Sequence, residues 1–277
     1  MINLNKDTIT QAVLKSFEGT PDARLKEIME SLVRHLHDFA REVKLTEEEW
    51  FKGIDFITRC GHITDDRRQE FILLSDVLGL SMLTVAMNNE KPAACTEATV
   101  FGPFHVDGAP EYELGTDIAN GAEGTPCTVR GTVRGLDGKP VANAMLDVWQ
   151  SDENGLYDVQ KPELSEAQAR GIVHTDAEGR YSFNSILAVP YPIPHDGPVG
   201  QMLEATGRHP WRPAHLHFLI KADGYETLIT HIFRKDSSYI DSDAVFAVRS
   251  SLVTDWVEQA DGSFLVEYDF VLNPRQG

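Results

Sequence analysis

Apolar residues recur along this chain at two different periods, and the change between them divides it. Leu25, Ile28, Met29, Leu32, Val33, Leu36 and Phe39 recur at spacings of three and four, which places them on one face of a helix. Thr46-Glu-Glu-Glu49 ahead of Trp50, Phe51, Ile54 and Ile57 has the spacing of a capping box and predicts a second helix start. Asp65 or Asp66 is positioned to cap a third, running to about Asn89, and no proline lies between Asp22 and Lys91. After Pro92 glycines and prolines multiply and apolar residues alternate. Leu146 and Val148 face away from Met145, Asp147 and Trp149, while Phe264, Val266, Tyr268, Phe270 and Leu272 share one face, the period of a strand. Asp137-Gly138, Glu178-Gly179 and Asp261-Gly262 supply turns between short strands. The expected fold is mainly β: an antiparallel β-sandwich over residues 96–277, preceded by an all-α part over residues 1–95.

One alternating segment carries chemistry. In Pro213-Ala-His215-Leu-His217-Phe-Leu-Ile220, a period of two puts His215, His217 and Leu219 on one side and Leu216, Phe218 and Ile220 on the other. Two imidazoles on one face form a metal-binding pair, and the apolar Leu219 beside them puts that face inside. The pair leaves the metal open, since zinc and ferrous iron ordinarily add a carboxylate or thiolate.

Composition narrows the partners. With 277 residues, 42% of them apolar, the chain is long enough for a substantial core. A net charge of −18 repels a nucleic acid backbone or an anionic membrane surface. The longest apolar stretch, Phe71 to Met87, is interrupted by Ser75, Asp76 and Ser81 and reads as a buried helix, not a membrane span. The N-terminus has no basic start followed by an apolar block, and Cys60, Cys95 and Cys127 are widely spaced. Both point to a cytoplasmic protein without a disulfide framework.

Beyond the histidine pair, Gly155-Leu-Tyr157-Asp, Val189-Pro-Tyr191-Pro-Ile-Pro194 and Trp211-Arg212-Pro-Ala-His215-Leu-His217 together resemble the intradiol ring-cleaving dioxygenases, the family of catechol 1,2-dioxygenase. The resemblance covers nearly the whole chain. It implies one non-haem Fe(III) per subunit, with Tyr157 and Tyr191 as phenolate ligands and His215 and His217 as imidazole ligands. Free tyrosine ionises near pH ~10, so two phenolates at neutral pH need a hard, highly charged cation beside them. The resemblance further implies an aromatic diol and O₂ as reactants, with Tyr191 leaving the metal when the diol arrives. Arg212 corresponds to the family's active-site arginine, whose charge stabilises anionic character on the substrate. It also implies a homodimer formed through the N-terminal helices, with a phospholipid between the protomers.

Several positions resemble the hydroxyquinol 1,2-dioxygenases within that family. Phe101 precedes Gly102-Pro103, His231 replaces a more usual glutamine, and Asp76 lies inside the longest apolar run. The implied substrate is benzene-1,2,4-triol, with catechol or a chlorocatechol as the alternative. An unpaired carboxylate is costly in apolar surroundings, and a third substrate hydroxyl would give Asp76 a partner. The resemblance places Leu73, Val100, Phe101, Gly102, Pro103 and Val245 along the substrate pocket. It leaves His231 either on a reaction intermediate or orienting Arg212.

Overall fold

Near-continuous burial along His215–Lys221 marks the strand that organises the larger part of the molecule: all of its residues are buried except Lys221. The computed structural model describes residues 2–65 and 68–275, and divides into two compact units, Met1–Arg59 and Cys60–Gly277.

The first unit is helical: α1 (Ile9–Ser16), α2 (Ala23–Glu42) and most of α3 (Glu47–Ile63). Asp22 caps α2 by accepting from the amides of Arg24 and Leu25. The capping box at the start of α3 forms as its spacing predicts: the Glu49 carboxylate accepts from the Thr46 amide, and the Thr46 hydroxyl from the Glu49 amide. α1 and α2 meet through Thr10 Oγ1 and His37 Nδ1, 2.9 Å apart. The predicted stripe on α2 forms, but no residue of that helix is fully buried.

The predicted third helix is instead two, α4 (Glu70–Val77) and α5 (Leu80–Asn88), bent by 77°. Gly79 makes the break in the left-handed region, at φ 75°. No single helix among the described residues is long and apolar enough to cross a membrane. Asp65 accepts from the Arg68 amide in the turn before α4, and Asp66 lies outside the described residues. α4 packs within the second unit, where the buried Glu70 carboxylate accepts from the Val199 amide.

The strands of this unit are β1 (Pro126–Gly135), β2 (Met145–Trp149), β3 (Arg170–His174), β4 (Arg180–Ile186), β5 (Tyr191–Pro192), β6 (Trp211–Arg212), β7 (His215–Lys221), β8 (Leu228–Arg234), β9 (Val253–Thr254), β10 (Trp256–Glu258), β11 (Phe264–Glu267) and β12 (Phe270–Leu272); α6 (Pro198–Ala205) lies between β5 and β6. One sheet runs β10-β11-β1-β12, with β4 also on β1; the second runs β3-β2-β7-β8-β9. The sheets are mixed, which corrects the purely antiparallel expectation: β1 pairs in parallel with β11 and β12, and β8 with β9.

The terminal alternation spans two strands because the chain steps at Tyr268 and Asp269. There the Tyr268 amide donates to the Arg130 carbonyl, and the Asp269 carboxylate accepts from the Thr132 amide. Gly131 permits the approach, since a Cβ there would sit 1.7 Å from the Tyr268 carbonyl oxygen. The inward period survives the step: Val266, Phe270 and Leu272 enter the same core as Leu146, Val148, Leu216, Phe218 and Ile220. The second sheet therefore spends one face on the hydrophobic core, and its other face is also covered.

Candidate metal centre

The covered outer face of the second sheet carries His215 and His217 on β7 and His231 on β8, all buried. Register aligns Trp149 of β2 and His231 of β8 on either side of His217. Two further chain segments reach over this face. The turn after β2 brings Tyr157 in, where Phe104 stacks on its ring at 4.4 Å. The β5–β6 pair brings Tyr191 opposite Arg212. Gly155, at φ 77°, is required for this, because a Cβ would lie 2.6 Å from that of Tyr191.

Four donor atoms converge. The Tyr157 and Tyr191 oxygens are 3.1 Å apart, the Tyr157 oxygen is 2.8 Å from His217 Nε2, and the two histidine Nε2 atoms are 3.1 Å apart. Separations near 3 Å are those of ligands bonded at about 2 Å to one ion. Burial lowers the pKa of both histidines, and the Arg212 charge adds to this, so each imidazole is neutral and keeps a lone pair. Burial likewise raises the Tyr157 pKa well above its ordinary value, and the adjacent Tyr191 adds to it. A phenolate at that position requires a strong cation. The donor set thus fits a hard metal ion. Among the described residues no carboxylate joins the cluster; a third histidine, His231, does approach, within 4.8 Å. Its Nε2, however, is turned onto His217 Nδ1, 2.8 Å away.

Arg212 is nearly inaccessible. Its NH1 lies 3.4 Å from the Tyr191 oxygen and 3.1 Å from His215 Nε2. Its Nε donates to Asp243 at 3.1 Å. Burial opposes its charge, but the Asp243 carboxylate and the tyrosine oxygens outweigh burial and raise its pKa. The partners of His231 are His217 and Thr99, not Arg212.

The remaining pocket candidates separate. Asp76 is buried in α4; burial raises its pKa, against a lowering hydrogen bond with Ser81 and the charge of Arg212. Leu73 and Pro103 line a cavity of about 640 Å³ that also borders Phe104, Gly155 and Leu156. Gly102, at φ 77°, packs on the His217 ring, where a Cβ would meet Cε1 at 3.1 Å. Phe101 packs edge-on to Trp149. Val100 and Val245 are buried, and the Val245 amide donates to Asp243.

Sequence reading missed Trp149, stacked on His217 at 4.8 Å and 16°, as well as Asp243 and Thr99. Trp149 shared the alternation of β2, which marked its face but not its neighbour. Asp243 lies in a loop with no period.

Comparison with known proteins places the whole chain in one family. Residues 100–274 match the family model described as Dioxygenase, and residues 22–96 the one described as Catechol dioxygenase N terminus. The 6-chlorohydroxyquinol 1,2-dioxygenase of Cupriavidus pinatubonensis is 62% identical over 99% of both chains. The hydroxyquinol 1,2-dioxygenase of Nocardioides simplex is 54% identical over 92% of this chain and 87% of its own. The solved structure of hydroxyquinol 1,2-dioxygenase from Pseudomonas putida superposes with a TM-score of 0.92 at 46% identity, covering 98% of this chain and 99% of that one.

Proposed function

This chain belongs to the catechol dioxygenase family of intradiol ring-cleaving enzymes, and from that membership we propose that it opens hydroxyquinol, benzene-1,2,4-triol, with O₂ to give 3-hydroxy-cis,cis-muconate, the tautomer of maleylacetate. The observation that carries the reading is the convergence of two phenol oxygens and two imidazole nitrogens beside a buried arginine. Tyr157, Tyr191, His215 and His217 are the residues to hold Fe(III), one per subunit. When bound, that ion supplies the positive charge that keeps the tyrosines ionised, draws the diol as its dianion and prepares the ring for O₂.

The chain's own groups do the rest. The Tyr191 oxygen takes a proton from an incoming hydroxyl, a general-base role, and Arg212 lies within 3.4 Å to stabilise the anionic substrate. Asp243 holds the guanidinium charged and in place. Asp76 accepts the hydroxyl that distinguishes the triol from catechol, and Leu73, Val100, Phe101, Gly102, Pro103 and Val245 form apolar walls that exclude water. A ring-chlorinated triol is the second reading, favoured by the 62% identical relative that is named for one. Catechol or a chlorocatechol is the alternative if Asp76 plays no part.

Oxygen uptake by the purified enzyme, with benzene-1,2,4-triol beside catechol and chlorocatechols and an enzyme-free control for autoxidation, tests the proposal. A wine-red, iron-containing protein that consumes O₂ fastest with the triol is expected. A colourless protein free of iron would sink it.

The proposal includes a cytoplasmic homodimer built through a helical region over residues 1–95, the catalytic region being 96–277. Leu25, Ile28, Leu32, Leu36 and Phe39 remain exposed along α2 in the single chain, a stripe that a second copy would cover, with a phospholipid lodged between protomers. Light scattering at micromolar concentration and mass spectrometry of an organic extract read both; a monomer without lipid rejects this part alone.

A further inference from the structure

The two histidines of the cluster are backed differently. His215 Nδ1 donates to the Pro213 carbonyl at 2.7 Å. A carbonyl only accepts, so Nε2 of that ring must keep its lone pair. His217 rests instead on a second imidazole. Its Nδ1 lies 2.8 Å from His231 Nε2, and His231 Nδ1 lies 2.6 Å from Thr99 Oγ1. The β7–β8 register sets the two rings directly opposite, and Thr99 is tied to the sheet by its amide, which donates to the Ile229 carbonyl of β8.

The direction of each hydrogen bond follows from the cluster. His217 Nε2 points at the Tyr157 oxygen and at His215 Nε2, so for that atom to be a ligand the ring's proton must sit on Nδ1. His231 then accepts at Nε2, carries its own proton on Nδ1 and donates it to the Thr99 hydroxyl. Both partners are buried, so no bulk water replaces either bond.

We propose that His231, oriented by Thr99, is a positioning residue that fixes the Nδ1-protonated tautomer of His217 and strengthens its Nε2 as a donor. The inference rests on the ferric reading above, and it assigns His231 no contact with the substrate. An imidazole acceptor pulls on the Nδ1 proton and gives His217 partial imidazolate character. That raises the electron density reaching the metal through His217, the part that the Pro213 carbonyl plays for His215.

Wild-type enzyme, His231→Leu, His231→Gln and Thr99→Val test it, each loaded with Fe(III) and, in parallel, with Zn(II). A tenfold to hundredfold faster release of either metal to a chelator is expected for His231→Leu, the usual range for loss of a group backing a ligand, ~10–100-fold. Its phenolate-to-iron absorption is expected at longer wavelength, because a poorer donor leaves the iron more electron-deficient. Thr99→Val shifts both readouts the same way by less. His231→Gln, whose side-chain carbonyl accepts the same proton, restores both. Should His231→Leu fail to fold, Thr99→Val against His231→Gln carries the same comparison. Unchanged release and absorption in His231→Leu, or a glutamine variant that behaves like leucine, overturns the proposal. A wild-type chain that retains zinc but refuses ferric iron defeats the ferric reading, and the zinc-release comparison still judges the His231 role.

Discussion

The histidine-bearing face of the second sheet and the α4 wall near it are both buried, yet they are built in opposite ways. On the sheet, Trp149, His217 and His231 are aligned by register, and each imidazole nitrogen of His217 has a partner. On α4, the buried Asp76 carboxyl meets the Ser81 hydroxyl and the charges of Arg212 and Asp243. The first region is over-determined, as a reactive centre must be to hold geometry to fractions of an ångström. In the second, the other buried carboxylate, Glu70, is engaged by the Val199 amide and Arg68, so in the proposed pocket recognition turns on the single carboxyl of Asp76. In the function proposed above, reaction type and substrate choice therefore sit on separate elements, the former on hydrogen-bonded strands and the latter on a helix and the 100–103 segment.

If that division holds, disrupting the sheet side should abolish all turnover without regard to substrate. Tyr157→Phe is expected to lose the metal and about 10³-fold or more of the activity on triol and catechol alike; metal analysis and oxygen uptake check it. Arg212→Lys keeps a charge but loses the planar fork that reaches both Asp243 and the Tyr191 oxygen. A fall of about 10²-fold in kcat is expected on both substrates, and wild-type turnover would remove Arg212 from the mechanism. Asp76→Ala should instead split the substrates. Leaving the triol's extra hydroxyl buried without its partner, at a cost of about 1–3 kcal/mol, predicts roughly 5–100-fold lower kcat/KM for the triol and little change for catechol. Equal losses on the two would erase the distinction between the regions.

The smallest expected effect is on stability. Burial raises the Asp76 pKa, so the neutral acid is the form the fold prefers. Its contribution is complete below the ordinary carboxylate range and is lost as pH rises through the raised value. Asp76→Asn removes that loss. Thermal midpoints measured from pH 4 to 8 should show the variant gaining on wild type as pH increases, and parallel curves would mean that Asp76 does not titrate in this range.

Alternation and local spacing by themselves determined a good deal. The β7 segment was legible as a strand because burial on both faces still left two histidines in phase, and the Thr46–Glu49 cap needed only neighbouring residues. The α4–α5 break was not, because a single glycine in an apolar run is tolerated in many helices and only its left-handed conformation here turns the chain. Parallel pairing of β1 with β11 and β12 was beyond reach for a related reason: strand order depends on which distant segments share a core, not on the period of either. The motif residues announced the ligand types. That their donor atoms lie near 3 Å from one another, that Asp243 answers Arg212, and that His231 turns its Nε2 to His217 was decided by register and by segments converging from distant places in the chain. Local sequence specifies what a residue can donate or accept; only the packed sheet specifies to whom.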